Sequence, residues 1–227
     1  MSQPEIVLHE WSISPFCGKV RKVLALKRLP YRIEDYGGVR ALKARGLSSS
    51  GKLPVLDYNG TRIVDSSAIV RFLDRTHPEP PLFPADVDAS LAHLLEDWAD
   101  ESLYFYELYA RLFDDEALDK SAAIACGDRN VVERTLYRRG LAGFRDKVVA
   151  QGLGRYPRET VLDNLRQHLN ALDGRLARDS WLAGPSMSIA DIAVAAQLDE
   201  FVRTSAWASE IRALPRLNAW LERCALR

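Results

Sequence analysis

Three short stretches in the first third of the chain have residue types and spacings suited to holding an anion or a polar ligand. Ser14-Pro15 precedes apolar residues at Phe16, Val20, Val23 and Leu24, the spacing of one helical face. Serine as cap with proline at the first helical position starts a helix. A helix start leaves backbone N–H groups unpaired and carries a partial positive charge. A thiolate placed there, beside a hydroxyl donor, is easier to form; the plainer role of Ser14 is to cap its own helix. Gly51-Lys52-Leu53-Pro54 puts a proline immediately ahead of an apolar run. With a cis bond at Pro54 the Leu53 backbone would be free to pair with an extended ligand; with a trans bond Pro54 only opens an edge strand. Val64-Asp65-Ser66-Ser67 precedes a second helical pattern. Its cap would aim backbone donors outward for a carboxylate, and Asp65 would take an ammonium group. Here too, capping alone accounts for the residues.

These stretches need elements to hold them. Ile6-Val7-Leu8 reads as a short buried strand, followed by the helix that Ser14 opens. Tyr31 to Asp35 reads as a second strand and Val39 to Arg45 as a short helix. Two apolar runs flank Asn59-Gly60, a pair that favours a two-residue hairpin turn. Ser66 to Thr76 completes a strand–helix–strand–helix–strand–strand–helix order. Next comes His77-Pro-Glu-Pro-Pro-Leu-Phe-Pro, whose four prolines can continue neither helix nor sheet, so it reads as a semi-rigid linker. Beyond it the periods are helical. Leu91, Leu94, Leu95, Trp98, Phe105, Leu108 and Leu112 predict one long amphipathic helix. Further helices are predicted near 131–150, 158–177, 189–203 and 214–225. The expected organisation is a small α/β domain over 1–76, a linker over 77–86 and an all-helical domain over 87–227.

Composition narrows the function. Lysine and arginine number 31, as do aspartate and glutamate, so no net field would recruit a nucleic acid. No apolar run approaches the roughly 20 residues of a membrane span, and no secretory signal is visible at the N-terminus. Cys17, Cys126 and Cys224 are far apart and show no metal-ligand spacing. Such sparse cysteines suit a reducing compartment, and the cytoplasm is the expected location. Glu96, Asp97, Asp100 and Glu101 read as a solvated acidic face. Ser188 and Asp191 fit a capping box and are assigned structure rather than catalysis.

Four motifs together resemble a family. Leu8 to Arg21, Gly51 to Leu56, Asp65 to Ile69 and Ser188 to Ala195 stand in the order and spacing of serine-type glutathione transferases. Within them the chain is most similar to the plant tau class and related bacterial proteins. The resemblance spans nearly the whole chain and implies an N-terminal thioredoxin-like domain (βαβαββα), a C-terminal helical bundle and a homodimer. It implies that Ser14 donates to the glutathione sulfur, and that Leu53, ahead of a cis Pro54, pairs with the cysteinyl unit. Asp65 and Ser66 would hold the γ-glutamyl end, while Lys52 and Arg40 would face the glycine carboxylate. Aspartate stands at position 65, where glutamate is commonest in the family. A small apolar electrophile would lie between the domains against Phe16, Tyr104, Tyr106 and Arg111, and no metal is required.

Two other functions stay open. Ser14-Pro-Phe-Cys17 resembles the redox loop of glutaredoxins with serine at its first cysteine, so Cys17 is expected as a half-buried bystander. Were it reactive, thiol–disulfide chemistry would follow. A non-catalytic binding protein on the same fold is the other rival. The Ser-Ser-Cys loop of the family's isomerase branch is absent, since Ile13-Ser14-Pro15 stands there.

Overall fold

A computed structural model describes residues 3–129 and 131–226; Met1, Ser2 and Arg227, at the outer limits of the two expected domains, lie outside the described residues. The first domain follows the expected order. Strand β1 (Ile6–Glu10) leads into helix α1 (Pro15–Leu26), then β2 (Arg32–Asp35). A 3-10 turn (Gly38–Arg40) runs into the one-turn α2 (Ala41–Ala44). Strands β3 (Val55–Tyr58) and β4 (Thr61–Val64) and helix α3 (Ser66–Thr76) complete the domain. The sheet order is β2-β1-β3-β4, with β1 parallel to β2 and antiparallel to β3. Asn59 and Gly60 both have positive φ, at 47° and 81°, which is what the mirror-image two-residue turn of this hairpin demands.

Leu8, Val20, Val23, Leu24, Leu56, Ile69 and Leu73 are fully buried where α1 and α3 pack on one face of the sheet. At roughly 1.5–3 kcal/mol for each fully buried aliphatic side chain, this small core is enough to hold both helix starts against the sheet. The linker is not a free spacer. Leu82 is buried and its carbonyl accepts the Ile189 N–H (2.9 Å), while Lys27 Nζ donates to the His77 and Pro80 carbonyls.

The second domain is helical throughout its described regular elements, apart from a short 3-10 turn. The single long helix expected over 91–112 is divided: α4 (Ala89–Trp98), a π-helical turn (Ala99–Leu103), then α5 (Tyr104–Leu112). A π turn inserts one residue per turn and so re-aims the side chains that follow. Helix α6 (Asp115–Cys126) was not expected. The helix predicted over 131–150 is two, α7 (Val131–Ala142) and α8 (Arg145–Gln151), separated near Gly143. Then come α9 (Arg158–Arg175), α10 (Ile189–Thr204), the short α11 (Ala208–Arg212) and α12 (Pro215–Arg223). Helix α10 is the centre of the molecule, buried nearly all round and packed on α1, α4 and α5.

Its start is pinned by one carboxylate. Asp191, fully buried, accepts from the Ser188 N–H (2.9 Å), the Leu182 N–H (2.9 Å) and Trp220 Nε1 (2.8 Å). The Ser188 N–H contact is the return half of the expected capping box. The two contacts beyond the box make Asp191 a tie between three segments.

Candidate active site

The three stretches singled out by sequence converge on the first domain's edge that faces the second. Ser14 caps α1, its Oγ accepting the Cys17 N–H at 3.4 Å, and the residue is buried. That bond uses the oxygen as acceptor, and the same hydroxyl also lies within hydrogen-bonding reach of the Cys17 thiol. The Ser14 N–H in turn donates to the Trp11 carbonyl (2.9 Å), closing a tight turn ahead of the helix. The Leu53–Pro54 peptide bond is cis. Asp65 is held at φ 77°, ψ 130°, in a region that costs a non-glycine residue on the order of 1–3 kcal/mol. Its Oδ1 accepts the Ala68 N–H (2.9 Å), so α3 is capped by a strained residue.

A cleft of about 570 Å3, within the range of small-ligand sites, opens between the Leu53–Pro54 and Asp65 segments and α4; Ser14, buried at the start of α1, is not among the residues lining it. Lys52, Leu53, Pro54, Asp65, Ser66 and Phe16 all line it. Its opposite wall holds His93, Glu96, Asp97, Asp100 and Glu101. Of the expected acidic face, Asp97 and Glu101 are exposed as read, but Glu96 is buried at 2% exposure and Asp100 is half-buried. The correction has a physical reason: Lys19 of α1, itself 1% exposed, donates to Glu96 Oε1 (2.8 Å), Asp100 Oδ2 (2.6 Å) and Ser67 Oγ (3.0 Å). Burial outweighs this partner at Asp100 and raises its carboxyl pKa. The cluster joins α1, α3 and α4 beneath the cleft. Its signal was present in the sequence, because Lys19 shares the Phe16–Val23 stripe of α1 at three- and four-residue spacing.

Other expected positions are distributed differently. Phe16 and Tyr104 pack with ring centroids 4.7 Å apart and planes tilted by 59°, joining the first helix to the start of α5. Tyr106 is buried and turned toward His168 of α9 (5.3 Å). Arg111, expected on the electrophile wall, is 1% exposed and lies between Glu107 (2.5 Å) and Glu200 (3.3 Å). A charged side chain can be buried so deeply only when paired. Arg40 is exposed on the 3-10 turn and is not among the residues lining the cleft. Cys17, expected half-buried, has no exposed surface, and burial pushes its thiol from an ordinary 9.0 up to about 12. Among the described residues no cluster of His, Cys, Asp or Glu could hold a metal, and no helix is long and apolar enough to cross a membrane.

Two family models match this chain, described as the glutathione S-transferase N-terminal domain over residues 8–81 and C-terminal domain over residues 131–223. The chain belongs to the glutathione S-transferase family. Among similar proteins, FtsZ-localized protein A of Caulobacter vibrioides is 30% identical over 203 residues, 86% of this chain and 76% of that protein. Glutathione S-transferase 4 of Zea mays is 25% identical over 238 residues, 100% of this chain and 91% of that protein. The solved structure of FzlA from C. crescentus superposes with a TM-score of 0.68 at 26% identity, covering 98% of this chain and 88% of that one. The thioredoxin-like first domain and helical second domain are thus the glutathione S-transferase architecture.

Proposed function

We propose that this chain is a glutathione transferase that holds the glutathione sulfur as a thiolate beside Ser14 and presents it to a small electrophile. The observation that carries this reading is the convergence of Lys52, Leu53, Asp65 and Ser66 on one cleft that reaches Phe16, two residues beyond Ser14. In this assignment Asp65 takes the γ-glutamyl ammonium, and the α3 start around Ser66 takes its carboxylate. Leu53 pairs with the cysteinyl backbone, and Lys52, with Arg40 more distant, faces the glycine carboxylate. Phe16 and Tyr104 contact the electrophile, with Tyr106 and Arg111 supporting α5 from behind. The active unit is a homodimer.

The magnitudes suffice. A thiol of ordinary pKa near 8.5 is only a few per cent ionised at neutral pH. Lowering it by about two units takes roughly 2.7 kcal/mol of preferential thiolate stabilisation. A charge-assisted hydrogen bond contributes about 1.5–3 kcal/mol and a helix start about 0.3–1. Ser14→Ala is therefore expected to lower kcat/KM for conjugation of an aryl halide by about 10- to 150-fold. Binding of glutathione, measured calorimetrically, should change far less. Full activity in that variant would remove Ser14 from the chemistry.

One relative favours a second reading. FtsZ-localized protein A is named for the company it keeps rather than for a reaction, and it matches most of this chain. A protein-binding member without turnover would show no heat on titration with millimolar glutathione and no conjugation. Saturable glutathione binding with turnover decides for the enzyme.

A further inference from the structure

Within the second domain, reaching the first at one end, lies a row of charges that the thiolate chemistry described above does not use. It starts at Glu107 on α5, passes through Arg111 to Glu200 on α10, and continues to Arg203 at 2.9 Å. Glu107, Arg111 and Glu200 are each at most 3% exposed. Arg203 ends the row by donating from Nη2 to the Ser12 carbonyl. Glu10 and Arg21 of the first domain pair nearby at 2.7 Å, and Arg21 feels the charge of Glu200. Opposite signs therefore alternate along the row, and Glu107, Arg111 and Glu200 lie at a depth where an unpaired member would be costly.

The placement of the last contact is what matters. Residues 11–14 form the turn ahead of α1. The Ser14 N–H closes it onto the Trp11 carbonyl (2.9 Å), and Arg203 holds the peptide between them at Ser12. Among the described residues the Ser12 carbonyl has that guanidinium as its partner, so the second domain adds a hold on a turn that the Trp11 and Ser14 backbone bonds already close. We propose that Arg203 is a positioning residue for Ser14, acting through the Ser12 carbonyl and itself held by the Glu200–Arg111–Glu107 row. The inference rests on the glutathione transferase reading for its chemical consequence, but not for the contact itself. A site needing its donor within a few tenths of an ångström of the sulfur depends on such support.

The test uses the full-length protein with Arg203→Met and Arg203→Lys. Arg203 is partly exposed and Glu200 keeps Arg111 as a partner, so both variants retain the buried pair. In the unliganded protein, hydrogen exchange at the Ser14 amide is expected to quicken on the order of tenfold in Arg203→Met and to return near wild type in Arg203→Lys. In the glutathione complex, ultraviolet titration of the thiolate should move up by about one unit in Arg203→Met, a tenfold loss of thiolate below the wild-type pKa. The KM for glutathione should stay within about threefold, because the cysteinyl and γ-glutamyl contacts are untouched. Unchanged Ser14 exchange overturns the proposal, and so does quickened exchange with an unmoved thiol titration. An ordinary thiol titration in the wild type sinks the transferase reading instead, and the exchange measurement still decides whether Arg203 holds the turn.

Discussion

The two walls of the cleft are built by different means. On the first-domain side the lining groups are backbone and caps: the Leu53–Pro54 peptide, the strained Asp65 and the start of α3. On the second-domain side the lining carboxylates Glu96 and Asp100 stand on a buried pairing with Lys19 of α1, and outside the cleft lining Arg111 pairs with Glu107 and Glu200. Backbone groups are placed by local geometry, and their cost is the local strain at Asp65. Buried charges hold only as complete sets, since removing one member strands the others away from water. A substitution on the first wall should therefore alter ligand handling while sparing the fold. On the second it should loosen the domains first.

The largest effect that would break this contrast concerns Lys19. Lys19→Met leaves Asp100 without its cation and Glu96 with only the partly exposed Arg71 (3.3 Å), and about 3–5 kcal/mol of stability should be lost. A fall in urea midpoint at constant slope measures it. A loss below about 1 kcal/mol would mean that the pair is solvated and the walls are alike. Next in size is Asp191→Ala, which orphans the donors of Leu182, Ser188 and Trp220. With a desolvation cost of about 1–3 kcal/mol for each buried group left unpaired, we expect at least about 3 kcal/mol by the same measurement. Smallest is Cys17, where the expected effect is silence. Its thiol is raised from 9.0 to about 12, so its thiolate fraction at pH 8 is about a thousandth of an ordinary cysteine's. Only rising pH increases that fraction. Iodoacetamide at pH 8 should leave Cys17 unmodified in the folded protein and modify it in denaturant. Rapid labelling of the native chain would revive the thiol–disulfide alternative.

Much of the first wall was legible because its determinants are close in sequence. Ser14 with Pro15, and Asp65 with the apolar run after it, encode caps within four residues. Asn59-Gly60 encodes a turn within two, and these local signals survive into the fold. The second wall was misread for the opposite reason. Glu96 and Asp100 looked like surface because their partner, Lys19, stands 77 and 81 residues away. Arg111 looked like a substrate contact because Glu200, 89 residues on, could not be paired with it from spacing. The π turn at Ala99–Leu103 also breaks the helical phase on which the α4–α5 stripe was drawn.

By itself, then, the order of residues determined the first domain's elements, the caps and the family, because each is written in short stretches of neighbouring residues. Which charges are buried, which aromatic rings reach the cleft and what steadies the turn ahead of Ser14 were decided only when α10 packed between the domains. Pairing energies between distant charges exist only once the chain has brought them together and excluded water.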